Sequence, residues 1–500
     1  MSEPFVPGNY SKMLPGLTGS RSRTDGPPMT RTTAEFYSRW LERVRSAPTF
    51  QEDRTPPERW LQHLWRHQRL HRETLRTLDG RAVRVLHPGF WNRSAGPDFK
   101  GAIVQFEDGP ACSGDVEIDL QPAGWTGHGH AGNPAYRRVI LHVVWQEGIN
   151  PSGIPVLPMQ PSLDSPLEEL VPWLLGEAPG LIPANVRGGC SAPLRRMDDP
   201  ALEALLEDAA RHRLARKATE LGARARHIGW DQALWEGLVG GLGYRHNTWP
   251  LRRLAELVPL VGAPGSVPVE EIQARLLGIA GFLPPDLTAG TPPYVRRLWD
   301  HWWRERGQFV HRMLPPEVWH LKGLRPANHP QRRLALAGHW LNGPRLANRL
   351  VQAVLGSDDA ELVKAAMEVL RPGNDPFWEG HWTLGSREGT ASPLLGEARV
   401  TDLAINVILP WLWARARMAT GGDAIAQVER RYFRWPAGED NAVLRMARQR
   451  LIGMEPRRLP RRAALQQGLL QISDDFCSAT DALCSGCGFP ALVEAWRANP

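Results

Sequence analysis

Asp115-Val-Glu-Ile-Asp-Leu120 alternates acid with aliphatic residue throughout. A β-strand has a two-residue period, so Asp115, Glu117 and Asp119 share one face while Val116, Ile118 and Leu120 share the other. Carboxylates two apart on a strand stand roughly 7 Å from each other and repel unless water screens them or a cation sits among them. A solvated outer face meets the first condition. The second gains weight from Asp98 in Gly96-Pro-Asp98, which ends the loop feeding the neighbouring strand. An Asp at the start of one strand beside a Glu on its antiparallel neighbour suits Mg²⁺ or Mn²⁺, which take oxygen ligands and retain waters, one of which can attack a phosphodiester.

Working outward, Thr33 to Ser46 reads as a helix, and a second starts near Pro57, with Trp60, Leu61, Leu64 and Trp65 at helical spacing. Asp79-Gly80 predicts a hairpin turn within Leu75 to Leu86. Gly101 to Phe106 and Ala111 to Leu120 read as two further strands, and Val139 to Trp145 as a short buried one. From Asp199 the pattern turns helical: Asp199-Pro200 supplies a cap and a first-turn proline, and Gly222 follows the last apolar position. Asp358 with Glu361 resembles a capping box ahead of a helix ending near Leu370. The fold class is therefore α/β (α+β), with a mixed, largely antiparallel meander sheet in the N-terminal domain and a mostly α-helical domain after it. The expected division is a disordered tail over 1–30, an α/β domain over 31–195, a helical Arg-rich domain over 196–471, and a cysteine-bearing tail over 472–500 packed on the rest.

Composition narrows the function classes. With 42% hydrophobic and 23% charged residues, the chain is ordinary globular protein, which excludes a disordered or collagen-like one. No apolar run approaches the roughly 18 to 20 residues needed to span a bilayer, and Met1 to Arg31 has no hydrophobic leader, so a soluble cytoplasmic chain with no membrane partner is predicted. Net charge is only +7, but Arg296–Val351 carries +8 and Arg445–Arg462 carries +6, leaving the remainder at −7. A polyanion such as nucleic acid would be drawn to those segments. In the first, Arg325, Arg332, Arg333, Arg345 and Arg349 lie among Trp319 and Trp340 and suit phosphate contact, or alternatively pair with the acidic remainder. The 21 tryptophans read chiefly as core packing. Phosphate-binding P-loop and Gly-x-Ser-x-Gly signatures are missing, so kinase and α/β-hydrolase readings have no motif.

The order of a Glu-bearing helix, a hairpin, Pro97-Asp98 and then Glu117-x-Asp119 resembles the PD-(D/E)XK nuclease core, which implies a restriction-endonuclease-like sheet with Asp98 and Glu117 as metal ligands. Where that superfamily carries lysine, this chain has Asp119; Lys100 is the candidate spatial substitute and His128 a candidate general acid or base. The longer blocks His87-Pro-Gly-Phe-Trp-Asn92, Gly96-Pro-Asp-Phe99, Gly114-Asp-Val-Glu-Ile118, Trp125, His128-Gly-His130, Ala135-Tyr136 and Val139-Ile-Leu-His-Val-Val144 resemble the domain of unknown function 2851 family of bacterial proteins. Members of that family usually carry His at the position of Asp119 and Ser-Asp at Ala123-Gly124. His128 and His130 would face one site if their segment were extended, and imidazoles beside carboxylates suit Mn²⁺, Fe²⁺ or Zn²⁺. His142 alone reads as a hydrogen-bonded core histidine.

Five cysteines do not make a disulfide framework. Cys477, Cys484 and Cys487 have the C-x6-C-x2-C spacing of a metal clip, with Cys190 preferred over Cys112 as the fourth ligand of a Zn²⁺ or an iron–sulfur cluster. The expected function is a metal-dependent nuclease-like enzyme. The rivals are a catalytically inactive nucleic-acid-binding or assembly protein and a hydrolase of a small substrate.

Overall fold

A computed structural model describes residues 36–44, 56–92, 96–167, 170, 191–244, 247–260, 267–321, 324–343, 345–419, 422–453, 461–477 and 487–497. The tail expected over 1–30 lies outside them, as do Cys190 and Cys484.

Two helices precede the sheet: α1 (Phe36–Val44) and α2 (Glu58–His67). The sheet comprises β1 (Val83–His87), β2 (Phe90–Trp91), β3 (Phe99–Phe106), β4 (Ala111–Asp119), β5 (Val139–Val144) and β6 (Val156–Pro158). Its order is β1-β3-β4-β5-β6, with β2 paired to the start of β3. β1, β2 and β4 run antiparallel to β3, whereas β4–β5 and β5–β6 are parallel. The sheet is thus mixed, and only its first half is a meander. The stretch between β4 and β5, including the one-turn helix α3 (Gly124–Gly127), carries the chain back to the same end of the sheet, as a parallel pair requires. The turn predicted at Asp79-Gly80 forms, with Gly80 at φ +86°, but the arm before it makes only isolated bridges and β1 takes β3 as its partner.

The apolar stripe of α2 joins Val116, Ile118, Leu141, Val143 and Leu157 in one core. The helical region from α4 (Ser191–Arg195) and α5 (Asp199–Ile228) onward builds a larger core, into which Leu86 and Ile103 from the sheet insert. A third core gathers α1, the start of α5, Ala463–Ile472 and Phe489–Arg497. Tyr37 binds there through its amide to Asp208 at 2.7 Å and through its hydroxyl to Asp475 at 2.8 Å, so α1 packs with the helices rather than on the sheet. The side-chain cap of α5 is Asp198, which accepts from the Ala201 amide at 2.8 Å, one residue earlier than expected. The helix runs through Gly222 and stops at Gly229, whose φ of +84° ends it. Asp358 caps a single 3₁₀ turn without a side-chain bond, and the next helix does end at Leu370. Within the described residues, no helix is long and apolar enough to cross a membrane.

Candidate active site at the sheet end

The carboxylate face of β4 is covered. Asp115 is 6%, Glu117 7% and Asp119 1% exposed, which overturns the solvated-face alternative. The three acids do different work. Asp115 accepts from the Gly101 amide at 3.0 Å, holding the irregular stretch of β3 where Gly101 has φ +67°. Glu117 and Asp98 interlock: the Asp98 amide donates to Glu117 Oε2 at 3.1 Å, and the Ile118 amide donates to Asp98 Oδ2 at 3.1 Å. Asn92 fixes the loop carrying Asp98, its amide donating to the Asp98 carbonyl at 2.7 Å and its side chain to the Pro97 carbonyl at 2.9 Å.

The first turn of α2 contributes Glu58, and Gln62 one turn later lies on the same helix face. Gln62 Nε2 donates to Asp98 Oδ1 at 2.9 Å and to Glu58 Oε1 at 3.3 Å. Burial, reinforced by Glu58, pushes the Asp98 carboxyl up to about 7. Burial and then the charge of Asp98 push Glu117 up to about 9, and burial with Asp119 nearby raises Glu58. A group of acids that resists ionisation in this way is one a cation would stabilise.

Asp119 belongs to a second set. His142, opposite Glu117 in the β4–β5 register, brings Nε2 to 2.9 Å from Asp119 Oδ2. His128 Nδ1 lies 3.0 Å from Asp119 Oδ1. The His128–His130 segment is not extended: Gly129 takes φ +73°, and that turn, rather than strand alternation, brings both rings to the site. His130 is stacked on Tyr136 with ring centroids 4.0 Å apart, and Trp125 meets His130 edge-on. Burial lowers the His130 pKa and raises that of Tyr136 to about 12. Donor atoms of Asp119, His128 and His130 all fall within 4.8 Å of one another. Lys100 is exposed on β3 near Gly96 and makes no ion pair with these acids.

A family model described as "Protein of unknown function (DUF2851)" matches residues 58–440. The chain belongs to this family. No curated protein and no solved structure matches it. The family match begins at Glu58 and therefore takes in every residue of the cluster just described.

Glu58, Gln62, Gly124 and Tyr136 escaped the residue-level reading. The i, i+4 spacing of Glu58 and Gln62 was the available signal for the first two. For Gly124 the signal was its departure from the family pattern together with that of Asp119: a Cβ there would stand 2.7 Å from the Asp119 carboxylate, so the glycine makes room for it.

The arginines expected to share a surface divide. Arg325 and Arg345 are exposed and Arg349 is half-buried. Arg332 and Arg333 are buried, and they donate inward: Arg332 to the carbonyls of Trp378, His381 (2.9 Å), Ser392 (2.6 Å) and Pro393 (3.1 Å), Arg333 to that of Leu394 (2.8 Å). They are thus unavailable to phosphate, and the acceptors are backbone carbonyls, with Ser392 Oγ for Arg332 and Asn328 Oδ1 for Arg333, rather than acids across an interface. Trp319 and Trp340 are likewise core residues, donating to the Ala280 and Leu370 carbonyls. Cys477 and Cys487 both pack in the third core, while Cys112 is exposed.

Proposed function

We propose that this protein is a divalent-metal-dependent phosphodiesterase of nuclease-like build, with Asp98 and Glu117 holding Mg²⁺ or Mn²⁺ and Glu58 and Gln62 completing the pocket. The observation that carries the reading is the interlocked pair of Asp98, just before β3, and Glu117 on the antiparallel neighbour β4, beside an acidic helix start. The order of α2 with Glu58, the β1–β2 segment, Asp98 just before β3 and Glu117 on β4 keeps the succession on which the resemblance to the PD-(D/E)XK core rests. A bound ion would polarise the phosphoryl oxygen and lower the pKa of an attacking water. His128, exposed and with Nδ1 3.0 Å from Asp119, is the candidate to move a proton at the leaving or attacking oxygen through its other ring nitrogen. Arg325, Arg345 and Arg349 remain the candidate phosphate contacts, and DNA and RNA are both substrates to test.

A second reading has its own observation. Asp119 stands where the superfamily has lysine, and Lys100 does not reach the acids, as in a nucleic-acid-binding or assembly protein that keeps the fold without the reaction. One experiment separates them. The protein is incubated with Mg²⁺ or Mn²⁺ and single- and double-stranded DNA and RNA. Cleavage that disappears in Asp98→Asn and Glu117→Gln supports the enzyme, and salt-sensitive binding without cleavage supports the rival.

A further inference from the structure

We propose that Asp119, His128 and His130 form a separate site for a transition-metal dication of the Mn²⁺, Fe²⁺, Co²⁺, Ni²⁺ or Zn²⁺ class, beside the Asp98–Glu117 pair. The three donor atoms lie within 4.8 Å of one another, and the His128 Nδ1 to Asp119 Oδ1 separation of 3.0 Å is already that of adjacent ligands on an ion with bonds of about 2.0 to 2.2 Å.

The independent sign is His130. Its side chain is 8% exposed, and its Nε2 is buried without a hydrogen-bond partner. Glu117 Oε1 lies 3.1 Å away, close enough for an ion pair if the ring is charged, but it forms no hydrogen bond with that nitrogen. A buried imidazole nitrogen left in this way costs free energy unless something occupies it, and a metal ion does so. The ring cannot easily turn aside, because Tyr136 stacks on it and Trp125 closes its edge.

The surroundings repeat the organisation of a metal centre beyond its ligands. Asp119 offers Oδ1 toward His128, while its other oxygen is held at 2.9 Å by His142, a fully buried ring that orients the carboxylate as an outer-shell partner does. Gly124 leaves the space that carboxylate fills. His128 is 55% exposed, so the fourth and later positions open to solvent, as in catalytic rather than closed structural sites. Two imidazoles and one carboxylate select against Mg²⁺ and Ca²⁺, which prefer all-oxygen shells. The site stands on this geometry alone. Where the phosphodiesterase reading also holds, an ion here supplies positive charge next to Glu117 that the superfamily draws from lysine.

The test uses the full chain with all five cysteines (Cys112, Cys190, Cys477, Cys484 and Cys487) replaced by serine, so that thiolates contribute no signal. After chelation, Co²⁺ is titrated while visible absorption is followed, with Mg²⁺ as competitor. We expect one Co²⁺ per chain with the d–d bands of nitrogen and oxygen ligation, unmoved by millimolar Mg²⁺. Affinity should fall at least about 10-fold in His128→Ala and in His130→Gln. His128 is exposed, so its replacement leaves the fold intact, and circular dichroism checks both. Asp98→Asn should keep the bands even as it removes any cleavage. Absence of the bands in the parent, bands unchanged in both histidine variants, or displacement by Mg²⁺ overturns the site. Cobalt binding without nuclease activity in any metal leaves the site standing and sinks the phosphodiesterase reading instead.

Discussion

Asp98 and Glu117 hold each other across β3 and β4: the amide of Asp98 donates to the Glu117 carboxylate at 3.1 Å, and the amide next to Glu117, that of Ile118, donates to the Asp98 carboxylate at the same distance. Each acid is thereby positioned by the backbone of the other's strand, so removing one charge leaves the other in place. Asp98→Asn and Glu117→Gln should each lower any metal-dependent cleavage by at least about 10²-fold. Thermal melts should show no loss of stability in the metal-free protein, and a small gain, because a buried repulsion is relieved. Variants that melt early would mean that the pair is structural.

The same acids set an unusual pH dependence. Their folded values, about 7 for Asp98 and about 9 for Glu117, lie above the ordinary 3.8 and 4.5. The folded state therefore binds more protons than the unfolded one between those limits, and stability must fall as pH rises. The penalty is absent below about pH 4 and grows through the interval up to about pH 9. Melting temperature in chelator should decline across this window, and saturating Mn²⁺ should flatten the decline, since the ion takes over from the protons. A chelated protein whose stability climbs over the same interval would contradict it.

Arg332 and Arg345 differ in kind although both lie in the basic stretch. Arg332 satisfies a cluster of buried carbonyls, so Arg332→Ala should cost about 3 kcal/mol of stability. Arg325→Ala with Arg345→Ala should leave the melt unchanged while weakening nucleic-acid binding and reducing its salt slope by about 2. Chemical denaturation and binding isotherms at several salt concentrations measure the two effects. Equal destabilisation by both sets would remove the distinction.

Gly124 tests the packing at Asp119. In Gly124→Ala the new Cβ would stand 2.7 Å from that carboxylate, forcing it to shift. A cost of about 1 to 3 kcal/mol is expected, together with weaker Co²⁺ binding. Retained affinity would show that Asp119 reaches its position by another route.

The cysteine tail has its own measurement. Cys477 and Cys487 sit in one core, and with Cys484 and Cys190 they are proposed to bind one zinc or one iron–sulfur cluster per chain. Elemental analysis and the brown absorbance of a cluster distinguish the two. Cys190→Ser should lower the content as much as Cys484→Ser does, and a full complement in Cys190→Ser would remove Cys190 from the set.

Period-two alternation in Asp115–Leu120, helical spacing in Trp60–Trp65 and the Asp79-Gly80 turn are local signals, and the sequence alone determined β4, α2 and the turn before β1 from them. It also put Asp98 beside Glu117, because consecutive strands joined by a short turn pair antiparallel. Tertiary structure decided the rest. Alternation separates two faces of β4 but does not say what covers them; here α2 and the 124–136 crossover bury the acids, and burial pushes Glu117 far above the ordinary carboxylate range. The parallel entry of β5 put His142 against Asp119, and the left-handed turn at Gly129 did the same for His128 and His130, relationships across the crossover that no residue spacing encodes. Arg332 and Arg325 look alike in a basic stretch. Which of them meets water depends on whether the 378–394 segment folds back over it, and that is a contact between residues far apart in the chain.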